Sequence, residues 1–179
     1  MLINILIVLA VIIVVFIIVV ALRPSAFRIT RSMTIMAPAA AVFANVQDFH
    51  GWEAWSPWAK LDPAATLTFS GSAKGVGASY AWSGNNKVGE GRMTITEAKA
   101  SDLIRIKLDF TRPMKANNIA EFTFAPQGEG TLVTWSMSGT NGFIGKAFCL
   151  FMNMDKMVGG DFEKGLAQMK VVTEAAIKK

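Results

Sequence analysis

Residues 1–22 form an uninterrupted apolar run, MLINILIVLAVIIVVFIIVVAL, in which no side chain is charged and only Asn4 is strongly polar. As an α-helix rising ~1.5 Å per residue, this run would be about 30 Å long, which matches the hydrocarbon core of a bilayer. It has no basic segment before it, and it is longer than the ~7–15-residue core of a secretory signal. We therefore predict a retained transmembrane anchor over residues 1–22. A cleaved signal peptide ending near Ala21 and a buried core helix are the alternatives.

Basic residues follow this run but do not precede it. Arg23, Arg28 and Arg31 come after it with no acidic residue between them, whereas only the amino group of the chain lies before it. The positive-inside rule then predicts a single-pass membrane protein whose C-terminal domain lies in the cytoplasm. The single cysteine, Cys149, cannot form an internal disulfide, which is compatible with a reducing compartment.

The charge of the chain after the anchor is nearly balanced. The chain has 18 Lys or Arg and 13 Asp or Glu, and three of the basic residues lie before residue 32, which leaves 15 against 13. The sequence shows neither a basic stripe nor a nucleic-acid-binding module. We therefore expect no nucleic-acid partner, in spite of the high isoelectric point.

The remaining residues indicate one domain, 27–179, joined to the anchor by a short linker at 23–26. A first strand is predicted at 27–36, followed by a helix after Pro38 and a second short helix capped by Asp48. Six further stretches alternate between apolar and polar residues, at 66–71, 78–84, 89–98, 103–110, 118–125 and 131–139. One dry face and one wet face are typical of an antiparallel sheet that is covered on a single side.

A long helix is predicted at the C-terminus, with Asp161 as its N-cap. Its apolar stripe recurs at steps of three and four residues: Phe162, Leu166, Met169, Val172 or Thr173, and Ala176. The apolar segment before it, 143–158, is interpreted as a packed helix or as a mobile lid over a ligand. Strands followed by this helix predict an α+β fold, a curved antiparallel sheet wrapped around the C-terminal helix.

Three stretches resemble a known superfamily: TRSMTIMAPAAAVFANVQDFHGWEAWSPW at 30–58, VGEGRMTI at 88–95 and GGDFEKGLAQMK at 159–170. They are similar to the SRPBCC superfamily, with its START or birch-pollen-allergen-like helix-grip fold. More narrowly, they resemble bacterial "polyketide cyclase/dehydrase" proteins with an N-terminal membrane helix. The resemblance implies a deep, mostly apolar cavity between the sheet and the C-terminal helix. Members of the superfamily include lipid carriers, cyclases, hormone receptors and co-chaperones.

The sequence offers little for catalysis. It has one histidine, His50, and one cysteine, which excludes a histidine-based metal cluster and disfavours a structural zinc site. It also lacks the common nucleophile, metalloprotease and phosphate-binding motifs. We therefore predict no catalytic residue, no metal ligand and no cofactor. His50 is interpreted as an ordinary surface or helix-end residue, with a pocket acid or base as the alternative.

The candidate ligand-binding residues are large apolar side chains expected on the inner face of the sheet, on the C-terminal helix or beside it. They are Trp55, Trp58, Tyr80, Trp82, Met93, Phe110, Phe122, Trp135, Met152, Phe162 and Leu166. The segment GWEAWSPW at 51–58 has three interpretations: packing at the end of the sheet, lining of a pocket mouth, or contact with the bilayer interface. The Tyr80 hydroxyl needs a polar partner if it is buried, and a ligand oxygen is one candidate.

These observations predict a membrane-tethered protein that binds a hydrophobic small molecule or lipid in an internal cavity. Two alternatives belong to other classes. A cyclase- or dehydrase-like enzyme would need a pair of polar groups in the pocket, for which Tyr80, His50 and Glu90 are the available candidates. A protein-interaction module, like the co-chaperones of the superfamily, would have a filled core and a large exposed apolar patch.

Overall fold

The apolar run forms a single helix, α1 (Leu2–Leu22), in the computed structural model of the protein, which describes residues 1–178. Every side chain of α1 is exposed except that of Val20. Within residues 1–178, α1 is the one helix whose length and composition would let it cross a membrane. The first strand begins at Ala26, so three residues connect it to α1.

Seven antiparallel strands form one curved sheet in the order β1-β7-β6-β5-β4-β3-β2. The strands are β1 (Ala26–Ile35), β2 (Thr66–Gly71), β3 (Ala78–Ser83), β4 (Glu90–Lys99), β5 (Leu103–Arg112), β6 (Ala116–Gln127) and β7 (Gly130–Thr140). Strands β2 to β7 follow one another as hairpins, and β1 joins the far edge by pairing with β7. All seven predicted strands are confirmed, with ends that differ by at most two residues.

Two short helices connect β1 to β2 and lie at one end of the sheet. They are α2 (Ala39–Gln47) and a 3₁₀ helix (Phe49–Ala54). The predicted cap is confirmed, because the Asp48 carboxylate accepts a hydrogen bond of 2.9 Å from the backbone N–H of His50.

The C-terminal region contains two helices, α3 (Phe143–Phe151) and α4 (Met154–Ile177). The prediction that the long helix begins at Asp161 is wrong, because α4 begins at Met154 with Asn153 as its N-cap. The Asn153 carboxamide accepts a hydrogen bond of 2.9 Å from the backbone N–H of Lys156. The glycine pair at 159–160 does not interrupt the helix, because tertiary packing outweighs the weak helix propensity of glycine.

The predicted apolar stripe of α4 is confirmed over most of its length. Its buried side chains are Phe162, Leu166, Met169 and Thr173. Ala176, which we expected on the same stripe, is exposed because burial of the helix ends at Thr173. The helix packs mainly against β1 and contacts β7 less extensively. The far half of the sheet, from β3 to β5, therefore lies beyond the helix.

Arg31 of β1 is a charged residue on the inner face of the sheet. Arg31 shares this face of β1 with Ile29, and its guanidinium reaches α4. It donates hydrogen bonds to Asp155 and Glu163, with nitrogen-to-oxygen distances of 2.9 and 2.6 Å. These hydrogen bonds raise the pKa of Arg31, and the one from Arg31 lowers the pKa of Asp155. The ion pairs connect the first half of α4 to the edge strand β1.

Two glycines of α4 provide a matched test of how closely the helix approaches the core. A Cβ on Gly165 would lie 2.8 Å from the Trp135 ring and 3.0 Å from Pro57, whereas a Cβ on Gly160 would meet nothing within 4 Å. We expect Gly165→Ala to destabilise the domain by about 1–3 kcal/mol through overpacking. Gly160→Ala should stabilise it by about 0.5–1 kcal/mol through helix propensity. Urea unfolding of both variants would check these opposite signs, and equal effects would contradict the close approach.

Candidate functional site

The predicted ligand-binding residues fall into three groups in the structure. Five belong to the core and are at most 2% exposed: Trp55, Phe122, Trp135, Phe162 and Leu166. Five are half-buried and pack against that core: Trp58, Tyr80, Trp82, Met93 and Phe110. Met152 lies apart from both groups, exposed between α3 and α4. The proposal that its segment forms a lid stays a prediction.

Aromatic rings fill the space between the centre of the sheet and α4. The Trp135 ring stacks on Phe162, with 4.1 Å between ring centroids and 9° between planes. On its own sheet it also stacks on Phe122, with centroids 4.7 Å apart. Side chains therefore occupy the region where the resemblance implies the deepest part of a cavity.

The tryptophans of GWEAWSPW have different roles. The indole N–H groups of Trp52 and Trp55 donate hydrogen bonds of 3.0 and 3.1 Å to backbone carbonyls of Val46 and Asn45 in the last turn of α2. Carbonyls in this position have no partner within their own helix, so the two rings cap α2 while they pack in the core. Trp52 and Trp55 are buried, whereas Trp58 is half-buried. Of the three, Trp58 therefore has exposed ring surface that a ligand could contact.

Four half-buried residues form what we call the aromatic floor: Tyr80 and Trp82 of β3, Met93 of β4 and Phe110 of β5. Trp82 stacks on Tyr80 with centroids 6.1 Å apart and meets the edge of Phe110 at 5.7 Å. The four side chains are on the inner face of the sheet but remain partly exposed, because α4 packs mainly against β1. The structure thus brings together four of the predicted ligand-binding residues away from the main contacts of α4, with Phe49 of the 3₁₀ helix 6.0 Å from Tyr80 between ring centroids.

Gly91 of β4 makes room for the Trp82 ring. The two residues are paired across β3 and β4, and a Cβ at Gly91 would lie 2.6 Å from the ring and 2.6 Å from the carbonyl oxygen of Asp109. The indole N–H of Trp82 donates to the backbone carbonyl of Val88 at 2.9 Å, which fixes the orientation of the ring. Any larger side chain at Gly91 would displace Trp82 from the aromatic floor.

Asn118 is a buried polar residue on the inner face that the sequence analysis did not single out. It is 7% exposed, and its Nδ2 donates at 3.8 Å to the sulfur of Met137, which is a weak acceptor. The strand register places Asn118 in one row with Leu108, Met93 and Tyr80. At ~4.8 Å between strands, about 14 Å separate the Asn118 and Tyr80 positions. Alternate residues of a strand share one face, so the position of Asn118, four residues before the inward-facing Phe122, would have predicted that it faces inward.

The polar groups near the aromatic floor do not form an acid–base pair. Burial raises the pKa of Tyr80, so its phenol is neutral near pH 7 and can donate a hydrogen bond to a ligand oxygen. The His50 ring stacks on Phe69, with centroids 4.1 Å apart, and Phe69 in turn contacts Tyr80. Glu90 accepts a hydrogen bond from Ser83, its partner across β3 and β4. Residues 1–178 contain no group of three or more side chains that could hold a metal ion.

A small cleft lies beside the aromatic floor, between the 3₁₀ helix and the end of the β2–β3 hairpin. Its volume is about 220 Å³, and its lining includes Phe49, His50, Phe69 and Ala78. Pockets for small molecules usually measure ~300–1,000 Å³. None of the predicted ligand-binding residues lines this cleft, so the aromatic floor remains the candidate site.

A family model described as "Polyketide cyclase / dehydrase and lipid transport" matches residues 26–174. The chain belongs to this family. The match begins at the first residue of β1 and ends near the end of α4, so it contains the whole sheet and the aromatic floor and excludes α1. No curated protein matches the chain.

Solved structures confirm the helix-grip fold of the family. Protein Ms6760 from Mycobacterium smegmatis is 17% identical, with a TM-score of 0.58, over 83% of this chain and 92% of that one. Ara h 8.0201 is 13% identical, with a TM-score of 0.56, over 84% of this chain and 99% of that one. The di-domain ARO/CYC StfQ from the steffimycin biosynthetic pathway is 11% identical, with a TM-score of 0.61, over 87% of this chain and 53% of that one. The chain is therefore an SRPBCC protein preceded by an apolar helix.

Proposed function

We propose that the protein is anchored in a membrane by α1 and binds a hydrophobic small molecule or lipid against the aromatic floor. The observation that carries this proposal is the partial exposure of Tyr80, Trp82, Met93 and Phe110 on the inner face of the sheet. A group of large apolar side chains that the fold leaves partly exposed gains stability when an apolar ligand removes it from water. The description of the family, which includes lipid transport, supports the same class of ligand.

Two polar groups would orient the ligand on this floor. The Asn118 carboxamide donates to the Met137 sulfur, which is a weak acceptor, and Tyr80 has a neutral phenol. Their positions are about 14 Å apart along one row of the sheet, given ~4.8 Å between strands. A ligand with an oxygen-bearing group and an apolar body of similar length would satisfy both polar groups and lie along Leu108 and Met93, which are between them.

The short connection from α1 to β1 supports a position at the membrane surface. Three residues, 23–25, can span at most about 10 Å at ~3.3–3.6 Å each. With α1 across a bilayer, the domain would lie against the headgroups. The arginines that follow α1 favour the cytoplasmic side.

A protein-interaction module is the second candidate, because the centre of the fold is filled. Trp135 and Phe162 occupy the space where a ligand cavity would be deepest. A catalytic role has less support, because His50 stacks on Phe69 and Glu90 accepts from Ser83, so neither pairs with Tyr80 among the described residues. Uptake of a lipid by the isolated domain separates the first two candidates.

The proposal is tested by titrating residues 24–179 with a fluorescent fatty acid. This part is expected to fold alone, since Ara h 8.0201 matches it over 99% of its own length. Saturable binding with one site per chain is the expected result. No binding of this probe or of a panel of phospholipids, sterols and isoprenoids would contradict the proposal and favour the interaction module.

Asn118→Leu tests the orientation of the ligand. Removing one hydrogen bond should weaken binding of the fluorescent fatty acid by about 1–1.5 kcal/mol, or roughly tenfold. The control ligand is the same fluorophore on a hydrocarbon chain without the carboxyl group, whose affinity should not fall. Equal losses for both ligands would show that Asn118 supports the fold rather than the ligand.

A further inference from the structure

Helix α3 exposes an apolar surface that its own domain does not cover. None of its nine residues is buried, and its one charged side chain is Lys146. Ile144 and Phe151 are 70% and 79% exposed, and Phe148 lies between them on the same side of the helix. Single exposed apolar residues are common on protein surfaces, but three large ones in one stripe indicate a contact surface.

The contacts of α3 place it beside the last turns of α1. The Phe151 ring stacks on Phe16, with centroids 6.4 Å apart. The Lys146 ammonium donates hydrogen bonds of 2.9 and 3.2 Å to the backbone carbonyls of Ala21 and Arg23. These carbonyls belong to the last turn of α1 and to its C-cap residue, where backbone acceptors lack helical partners. Two helices with exposed apolar surfaces are thus held side by side.

The depth of this contact fits the boundary between headgroups and acyl chains. Phe16 precedes the end of α1 at Leu22 by six residues, or about 9 Å at ~1.5 Å per residue. Amphipathic helices that lie on a membrane bury their apolar face by ~5–10 Å. Lys146, bonded to the end of α1, would remain at the headgroups while its stem crosses the apolar zone.

A second element at the same end of the sheet has matching chemistry. The register puts the β5–β6 turn at the end where β1 begins and β7 stops. Met114 at the tip of this turn is 47% exposed and lies between Arg112 and Lys115. An apolar tip flanked by basic residues suits a surface of acyl chains beneath anionic headgroups.

We infer that α3 is an interfacial membrane helix, with Ile144, Phe148 and Phe151 in the acyl-chain region of the leaflet in which α1 ends. This inference rests on the proposed anchoring by α1. The occupant of the apolar stripe is the bilayer, and α3 fixes the end of the sheet that contains Phe27 and Gly139 against it. A hydrophobic ligand that leaves the leaflet at this end would reach Asn118, which contacts Gly139, without crossing bulk water.

The test measures depth with nitroxide labels on the full chain in vesicles of phosphatidylcholine and phosphatidylglycerol. Each variant has one cysteine in a Cys149→Ser background. Ile144→Cys and Phe151→Cys report on α3, and both side chains are exposed, so their replacement spares the core. Val14→Cys reports on α1, and Val171→Cys is the matched control, an exposed apolar position on α4. Accessibility to oxygen is compared with accessibility to a water-soluble nickel complex.

We expect the labels at Val14, Ile144 and Phe151 to be several-fold more accessible to oxygen, relative to nickel, than the label at Val171. Labels at Ile144 and Phe151 that match Val171, with Val14 still oxygen-favoured, would overturn the inference about α3 and leave the anchor intact. A water-accessible label at Val14 would overturn the proposed anchoring, and the inference with it.

Discussion

Replacing Trp135 by alanine should lower the free energy of unfolding of the domain by about 3–5 kcal/mol, the range for large aromatic side chains in cores. Trp135 is 2% exposed and stacks on both Phe162 of α4 and Phe122 of β6. Its removal would leave a cavity between the helix and the sheet at the centre of the fold. Domains of this kind are stable by only ~5–15 kcal/mol, so the variant would lose a large part of its stability. Urea unfolding followed by near-ultraviolet circular dichroism measures the difference.

Trp135→Phe is the matched control for this substitution. Among residues 1–178, the Trp135 indole N–H has no hydrogen-bond acceptor although it is buried. Phenylalanine retains a stacked ring and removes this unsatisfied donor, which costs about 1–3 kcal/mol when it is buried. We therefore expect a much smaller loss for Trp135→Phe than for Trp135→Ala. Equal losses would mean that the stacked rings do not hold α4 to the sheet.

Replacing Trp82 by alanine should weaken ligand binding, because part of its ring is exposed on the aromatic floor. A tryptophan contributes ~150–250 Å² of surface, and Trp82 is half-buried before any ligand binds. If a ligand covers about 60 Å² of the exposed part, at ~25 cal/mol per Å² the loss is about 1.5 kcal/mol, or roughly tenfold in affinity. Titration of residues 24–179 with the fluorescent fatty acid measures this ratio.

Ile119→Ala is the control for Trp82→Ala. Ile119 is 36% exposed on the outer face of the sheet, next to Asn118 in sequence, and should leave the affinity unchanged. An equal loss in both variants would indicate a general change in the domain. An unchanged affinity in Trp82→Ala would remove the aromatic floor as the binding site.

Regular periodicity explains why most of the fold could be predicted from the sequence. Period-two alternation located every strand, and the stripe containing Phe162 and Leu166 located the buried side of α4. Local chemistry also sufficed for the Asp48 cap, because an N-cap depends on residues within one turn. The strands, the apolar stripe and the cap each depend on residues close together in the chain, so they can be predicted from the sequence alone.

Features that depend on distant contacts could not be predicted in the same way. Helix α4 continues through the glycine pair at 159–160 because it packs against the sheet, and Arg31 faces inward because acids on α4 pair with it. The division of the predicted ligand-binding residues into a filled core and an open floor depends on where α4 crosses the sheet. At that crossing Gly165 approaches the Trp135 ring closely, and no local pattern in the sequence predicts a contact between residues so far apart.

Native mass spectrometry of residues 24–179, purified without detergent, tests the binding of a hydrophobic ligand most directly. The wild-type domain and the Trp82→Ala variant would be compared under gentle ionisation, and any bound compound extracted. We expect the wild type to retain a discrete extra mass that resolves to a lipid-like compound, and the variant to lose most of it. A homogeneous, empty wild-type domain that also takes up nothing from an added lipid panel would contradict the account.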